Sequence, residues 1–132
     1  MSHARNFQIV ESLYKAYEEG DLEAFYKDLS PELVWIECDG FPTPGVFRSK
    51  EEVTENVFAV LERDWSHWQY ELEQLIDAGE SVVAVGSYRG THGATAKSFV
   101  ARAAHVWHLV DGKIVRFEQF ADTHPMQSAA VA

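Results

Sequence analysis

A chain of 132 residues with 46% hydrophobic and 24% charged residues has the size and composition of one globular domain, spanning residues 1–132. Its formal net charge of −10 would repel nucleic acids and anionic membranes, so we expect neither as a partner. The single cysteine, Cys38, excludes an internal disulfide, and the N-terminus lacks the apolar segment of a signal peptide, so we expect a cytoplasmic protein.

Apolar residues at helical spacing predict three helices in the first half of the chain. The stripe of the first helix consists of Phe7, Val10, Leu13, Tyr14 and Tyr17. Gly20 ends this helix, and a shorter second stripe covers residues 22–29 before Pro31. Ser49 and Glu52 form a capping box, which predicts the start of the third helix.

The rest of the chain has the period of two that is typical of strands. LVWIE, residues 33–37, predicts a short strand before the loop 38–45, which is rich in Pro and Gly. Four further strands are predicted from residue 66 and at residues 81–90, 97–110 and 113–122. This order indicates an α+β fold, a cone in which a curved, mostly antiparallel sheet and three N-terminal helices enclose an apolar pocket.

Several segments resemble the SnoaL-like group of the nuclear transport factor 2-like superfamily, namely GDLEAFYKDLSPELVWIE, VVAVGSYRGT, HVWHLVDGKIVRF and FADT. The resemblance covers nearly the whole chain and matches the predicted order of elements. It implies the cone-shaped fold and a homodimer formed through the outer face of the sheet. The superfamily includes polyketide cyclases, ketosteroid isomerases and non-catalytic members, so the resemblance implies the fold more specifically than the reaction.

The resemblance also implies where site residues lie. In polyketide cyclases of this type an Asp near the end of the last strand is the general acid/base, and Asp122 matches it. Ketosteroid isomerases place their base at the end of the first strand, where Glu37 and Asp39 are the nearest acids. Those isomerases also use a tyrosine of the first helix, which Tyr14 or Tyr17 could supply.

One part of the related active sites has no counterpart in this chain. Ketosteroid isomerases and limonene epoxide hydrolases carry an acid on the penultimate strand, whereas residues 96–110 contain no Asp or Glu. The resemblance therefore favours a cyclase-like or other aldol-type enolisation over those two reactions.

Each candidate also has a structural interpretation. Asp122 could end its strand by accepting a hydrogen bond from the backbone N–H of His124. Glu37 is more often an exposed acid on an edge strand than a pocket acid. His105 could shuttle protons or could pair across the hairpin with Glu118.

The register of the last hairpin decides which of these side chains share a face. A two-residue loop at residues 111–112 pairs His105 with Glu118 and places it with Asp122, on the face opposite to Gln119. A single bulge would exchange the faces in the outer part of the strand. Both registers remain open from the sequence.

The favoured hypothesis is cofactor-independent cyclisation or isomerisation, of aldol or enolisation type, on a small hydrophobic molecule that carries a carbonyl group. The catalytic candidates are Asp122, His105 and Glu37. The ligand-binding candidates are Tyr14, Tyr17, Trp35, Phe58, Trp65, Tyr88, Arg89, Trp107, Phe117 and Gln119. Six scattered His without an HExxH motif predict no metal site. The alternative hypothesis is a non-catalytic module for ligand binding or dimerisation, in which the acids are structural.

Overall fold

The computed structural model of the protein describes residues 3–132. The helices are α1 (His3–Glu19), α2 (Leu22–Tyr26), α3 (Lys50–Val53), α4 (Ala59–Asp64) and α5 (His124–Ala129), with a π-helical turn (Thr54–Phe58) joining α3 to α4. The strands are β1 (Leu29–Glu37), β2 (Gly45–Phe47), β3 (Trp65–Ala78), β4 (Ser81–His92), β5 (Ser98–Val110) and β6 (Lys113–Ala121). No helix within residues 3–132 is long and apolar enough to cross a lipid bilayer.

The predicted helix boundaries have local causes. Gly20 follows α1 with a φ of 73°, a left-handed conformation that favours glycine at the end of a helix. Asp21 caps α2 by accepting from the backbone N–H of Ala24 at 3.1 Å. Ser49 likewise accepts from the N–H of Glu52 at 3.1 Å, which confirms the predicted start of the third helical segment.

The sheet has the order β2-β1-β6-β5-β4-β3. Strands β3 to β6 are consecutive antiparallel neighbours, whereas β1 runs parallel to β6. The predicted curved, mostly antiparallel sheet with helices is therefore confirmed. No pattern in the sequence predicted β2 or α5, and Leu29, which was expected in the second helix, begins β1.

A β-bulge lies in the hairpin of β5 and β6. Leu109 pairs with Ile114, but Trp107 pairs with Phe117, so β6 has one extra residue between the two pairs. Ile114 and Phe117 are three residues apart and both are buried, which an unbroken alternation would not allow. The bulge places His105 opposite Gln119, so the pairing of His105 with Glu118 that a regular hairpin predicts is wrong.

We expect Gly86→Ala to destabilise the protein by about 2–3 kcal/mol, as overpacking does. A Cβ at Gly86 would lie 2.1 Å from the backbone oxygen of Glu71 and 2.9 Å from the hydroxyl of Tyr70, so β3 and β4 would have to separate. Gly20→Ala is the matched control, because it has the same effect on the unfolded chain. Its Cβ meets nothing within 4 Å, and only the positive φ opposes it, at about 1 kcal/mol. Urea unfolding would measure both variants, and equal losses would contradict the expectation.

Candidate functional site

A central cavity of about 40 Å³ lies between the concave face of the sheet and the helices. Nine of its lining residues were candidates from the sequence, namely Tyr14, Tyr17, Trp35, Glu37, Phe58, Tyr88, His105, Trp107 and Phe117. Five further lining residues were not among the predicted ligand-binding residues, namely Phe25, Val57, Leu61, Trp68 and Tyr70. Apart from a few hydroxyls, Glu37 and His105, the wall is apolar and largely aromatic.

The sequence pattern of β3 did indicate that Trp68 and Tyr70 lie on a common face. They alternate with Gln69 and Glu71, which indicates that their side chains share one face of β3. The Tyr70 ring stacks on His105 with centroids 4.2 Å apart, and its hydroxyl donates to the backbone oxygen of Ala103 at 3.1 Å. The alternation identified the face, but only the packing of the sheet shows that this face meets the cavity.

Glu37 ends β1 inside the protein, where only 4% of the residue is exposed. The interpretation as an exposed edge-strand acid is wrong, because β2 makes β1 an inner strand and the side chain of Glu37 lies on the face of the sheet that lines the cavity. Its carboxyl accepts from Trp35 Nε1 at 3.0 Å, from Thr43 Oγ1 at 3.0 Å and from Gln119 Nε2 at 3.4 Å. Burial raises the pKa of Glu37 to about 7, although these hydrogen bonds oppose the shift.

His105 lies in the middle of β5 and is also buried. Its Nδ1 is 2.5 Å from the hydroxyl of Tyr14, and its Nε2 is 2.7 Å from the hydroxyl of Tyr88. Burial lowers the pKa of His105 to about 3, so its ring is neutral at physiological pH. We call Tyr14, His105 and Tyr88 the tyrosine–histidine relay.

Two further side chains extend this relay at its ends. Trp107 Nε1 donates to the hydroxyl of Tyr14 at 2.8 Å. Gln119 Nε2 donates to the hydroxyl of Tyr88 at 2.9 Å and also reaches Glu37, so one hydrogen-bonded chain runs from the indole to the carboxyl. Burial raises the pKa of both relay tyrosines, which therefore remain neutral hydroxyls.

Gln119 does not line the cavity itself, but it holds two residues that do. Its Oε1 accepts from the backbone N–H of Cys38 at 3.4 Å and from the Cys38 thiol at 3.3 Å. These contacts turn the amide nitrogen of Gln119 towards Tyr88 and Glu37. The side chain therefore fixes the spacing between the buried carboxyl and the relay.

Besides Gln119, three predicted site residues lie outside the cavity. Asp122 is exposed and follows β6 two residues after Phe120, which is half exposed on the outer face of the sheet. Arg89 is exposed and forms an ion pair with Glu71. Trp65 is buried, but its ring packs against other aromatic rings beside the cavity. Beyond the bulge in β6 the side chains again alternate between the two faces of the sheet, so Asp122 lies on the outer side, as Phe120 does.

Within residues 3–132, no three His, Cys, Asp or Glu side chains come together as a metal site would require. The polar groups of the cavity are instead a carboxyl, a neutral imidazole and hydroxyls. Such groups can transfer protons and donate hydrogen bonds to an oxygen.

The sequence and the fold of this chain are similar to those of known proteins. The family model of the SnoaL-like domain matches residues 10–117. An NTF2-like protein from Burkholderia thailandensis has a similar structure, with a TM-score of 0.95 and 41% identity over 100% of this chain and 99% of that chain. An NTF2-like protein of unknown function from Burkholderia pseudomallei has a TM-score of 0.88 and 27% identity over 100% of both chains.

The structure of TerC co-crystallised with polyporic acid is also similar in fold, with a TM-score of 0.84 and 19% identity over 96% of this chain and 98% of that chain. No protein with a curated description matches the chain. The family model covers most of the sequence, and the fold follows the expected order of elements. The chain therefore belongs to the family of SnoaL-like domains, with the NTF2-like fold.

Proposed function

We propose that the central cavity binds a small, mostly apolar molecule with a carbonyl group, and that Glu37 transfers a proton at the carbon beside this carbonyl. The observation that carries the proposal is a buried carboxyl at an aromatic cavity, with its pKa raised to about 7. A general base is most effective when its pKa lies near the working pH. The co-crystallisation of TerC with polyporic acid is consistent with an organic ligand in this fold.

The proposed step breaks the C–H bond beside the carbonyl. The proton passes to the ionised carboxylate of Glu37, and the electron pair forms an enolate whose oxygen accepts a hydrogen bond from a tyrosine hydroxyl of the relay. Where a C=C bond is conjugated with the enolate, the dienolate takes the proton back from Glu37 at its far carbon, which is an isomerisation. Where a second carbonyl of the same molecule is within reach, the enolate carbon attacks it and the alkoxide that forms takes the proton from Glu37, which is an aldol cyclisation. His105 remains neutral throughout and holds the two hydroxyls.

The ligand must open the cavity, because about 40 Å³ is far below the ~300 Å³ or more of a typical ligand site. A surface groove between α1 and β3 shares Tyr14, Tyr17, Trp68 and Tyr70 with the cavity. Tyr17 and Trp68 are only half buried there, whereas Tyr14 and Tyr70 are buried. We infer that ligands reach the cavity through this groove when Tyr17 and Trp68 move apart.

The rate of α-proton exchange is expected to rise with pH and to level off above about 7, because only the ionised form of Glu37 accepts a proton. Below that pH the rate should fall about tenfold for each pH unit. NMR would follow the exchange of deuterium from D₂O into acetone, cyclohexanone and larger cyclic ketones.

Asp122→Asn is the matched control for this experiment, since it removes a carboxyl outside the cavity and should leave the pH profile unchanged. A profile that depends on Asp122 would contradict the role of Glu37. Ketone binding without exchange would favour the non-catalytic binding module.

We also propose that two copies associate through the outer face of the sheet. Ile76, Val100 and Phe120 lie on this face, and 40%, 49% and 50% of these residues are exposed. Phe120→Glu is expected to shift the protein from dimer to monomer in sedimentation experiments, because a charge would be buried at the interface. Leu22→Glu is the control, because it changes an exposed apolar residue of α2, outside the sheet. A Phe120→Glu protein with unchanged mass would contradict the proposal.

A further inference from the structure

The tyrosine–histidine relay and its two neighbours supply more donor hydrogens than there are hydrogen-bond contacts among them. These contacts are Trp107 Nε1 to Tyr14 at 2.8 Å, Tyr14 to His105 Nδ1 at 2.5 Å, His105 Nε2 to Tyr88 at 2.7 Å and Gln119 Nε2 to Tyr88 at 2.9 Å. The indole, the amide, the imidazole and the two hydroxyls each direct one hydrogen into these four contacts or into the cavity. One of the five hydrogens is therefore left without a contact in the relay.

The unused hydrogen belongs to a tyrosine. Trp107 and Gln119 have only donors to offer at their contacts, so each tyrosine oxygen already accepts one hydrogen. The neutral ring of His105 has one N–H and one lone pair, so it donates to one tyrosine and accepts from the other. The tyrosine that receives the ring N–H keeps its own O–H unused. Both tautomers of His105 give this result, and they differ only in which tyrosine is left over.

We infer that the relay always presents one tyrosine O–H to the cavity, that the tautomer of His105 decides whether Tyr14 or Tyr88 presents it, and that the site thereby selects ligands with an acceptor oxygen. All three relay residues line the cavity. A buried hydroxyl hydrogen without an acceptor is unfavourable, and an oxygen of the ligand removes this penalty. The inference rests on the proposed function, since it names the group that binds the carbonyl oxygen, and it makes His105 a positioning residue.

Tautomer measurements test the relay without any ligand. Long-range ¹H–¹⁵N NMR distinguishes the protonated from the unprotonated ring nitrogen of His105 in wild type, Tyr14→Phe and Tyr88→Phe. An N–H on Nδ1 would lack a partner in Tyr14→Phe, so we expect the Nε2–H tautomer there and the Nδ1–H tautomer in Tyr88→Phe. The same tautomer in both variants, or a charged ring at pH 7, would overturn the inference. Each substitution removes a single oxygen, and circular dichroism would verify that both variants fold.

Ligand selection is tested with two probes of matched shape, cyclohexanone and methylenecyclohexane, by ligand-observed NMR. Wild type should bind the ketone about tenfold more tightly, the value of one hydrogen bond. The double variant Tyr14→Phe/Tyr88→Phe should bind both probes equally. Equal affinity in wild type, or binding of neither probe, would overturn the selection. Wild type that prefers the ketone but catalyses no proton exchange, or exchange that is unchanged in Glu37→Gln, would instead contradict the proton transfer alone, so the two failures are distinguishable.

Discussion

Glu37→Gln is expected to slow α-proton exchange by about 10²–10⁴-fold, the usual effect of losing a general base. The amide cannot accept the proton, but it has the shape of the protonated carboxyl. Its oxygen can accept from Trp35 and Gln119, and its nitrogen can donate to the hydroxyl of Thr43. The loss of rate should therefore come from the missing base and not from a rearranged cavity.

The same substitution should stabilise the folded protein at high pH. Burial raises the pKa of Glu37 from 4.5 to about 7, so the folded state holds a proton that the unfolded state has lost between these values. Wild-type stability consequently falls as the pH rises through this window, by about 3 kcal/mol for this group. Gln is neutral at every pH, so the advantage of the variant should grow by that amount from pH 4.5 to pH 8.

Urea unfolding of wild type and Glu37→Gln at several pH values would measure this difference. Glu62→Gln is the control, because it removes the same charge from an exposed position on α4. If the difference in unfolding free energy between Glu37→Gln and wild type did not change with pH, the carboxyl of Glu37 would not be desolvated. Such a carboxyl would not have the raised pKa that the proposed base requires.

His105→Gln is expected to make the protein less sensitive to acid. Burial lowers the pKa of His105 from 6.5 to about 3, so the unfolded state binds a proton below pH 6.5 that the folded state excludes. This group stabilises the fold fully above pH 6.5, and about 3 kcal/mol of its contribution is lost when the pH falls to 4. Gln cannot be protonated, so the variant should avoid this loss.

At neutral pH the variant should be less stable than wild type, because it lacks the ring that stacks on Tyr70 at 4.2 Å. The informative quantity is therefore the change in unfolding free energy between pH 7 and pH 4, not its value at one pH. His67→Gln is the control, since His67 is exposed on β3. Equal acid sensitivity of wild type and His105→Gln would contradict a buried neutral ring.

Glu37 and His105 together support the proposal that this cavity is a functional site. An apolar residue at either position would avoid a desolvated titratable group. Burial raises the pKa of Glu37 to about 7 and lowers the pKa of His105 to about 3, so both groups are neutral between these values, and strongly shifted pKa values of this kind are typical of functional sites. The stability that they forgo is consistent with selection for function.

Much of the fold followed from local patterns in the sequence. The stripe from Phe7 to Tyr17, the cap at Ser49 and the turn at residues 111–112 predicted elements close to those observed. Each of these signals acts between residues that are near in sequence, such as a side chain and a backbone N–H three residues away. The resemblance to SnoaL-like proteins supplied the cone, and Glu37, His105 and Tyr14 were already among the candidates.

The choice among those candidates depended on contacts between distant segments. One extra residue in β6 brought His105 to the face of Gln119 and sent Asp122 to the exterior. The short strand β2, whose pairing with β1 the sequence did not reveal, removes Glu37 from the edge of the sheet, and the residues around the cavity bury its side chain. The sequence by itself determined the elements and the residue types available for chemistry. The tertiary structure decided which titratable side chains are buried and therefore have shifted pKa values. Desolvation depends on every segment of the chain that surrounds a group, and not only on its neighbours in sequence.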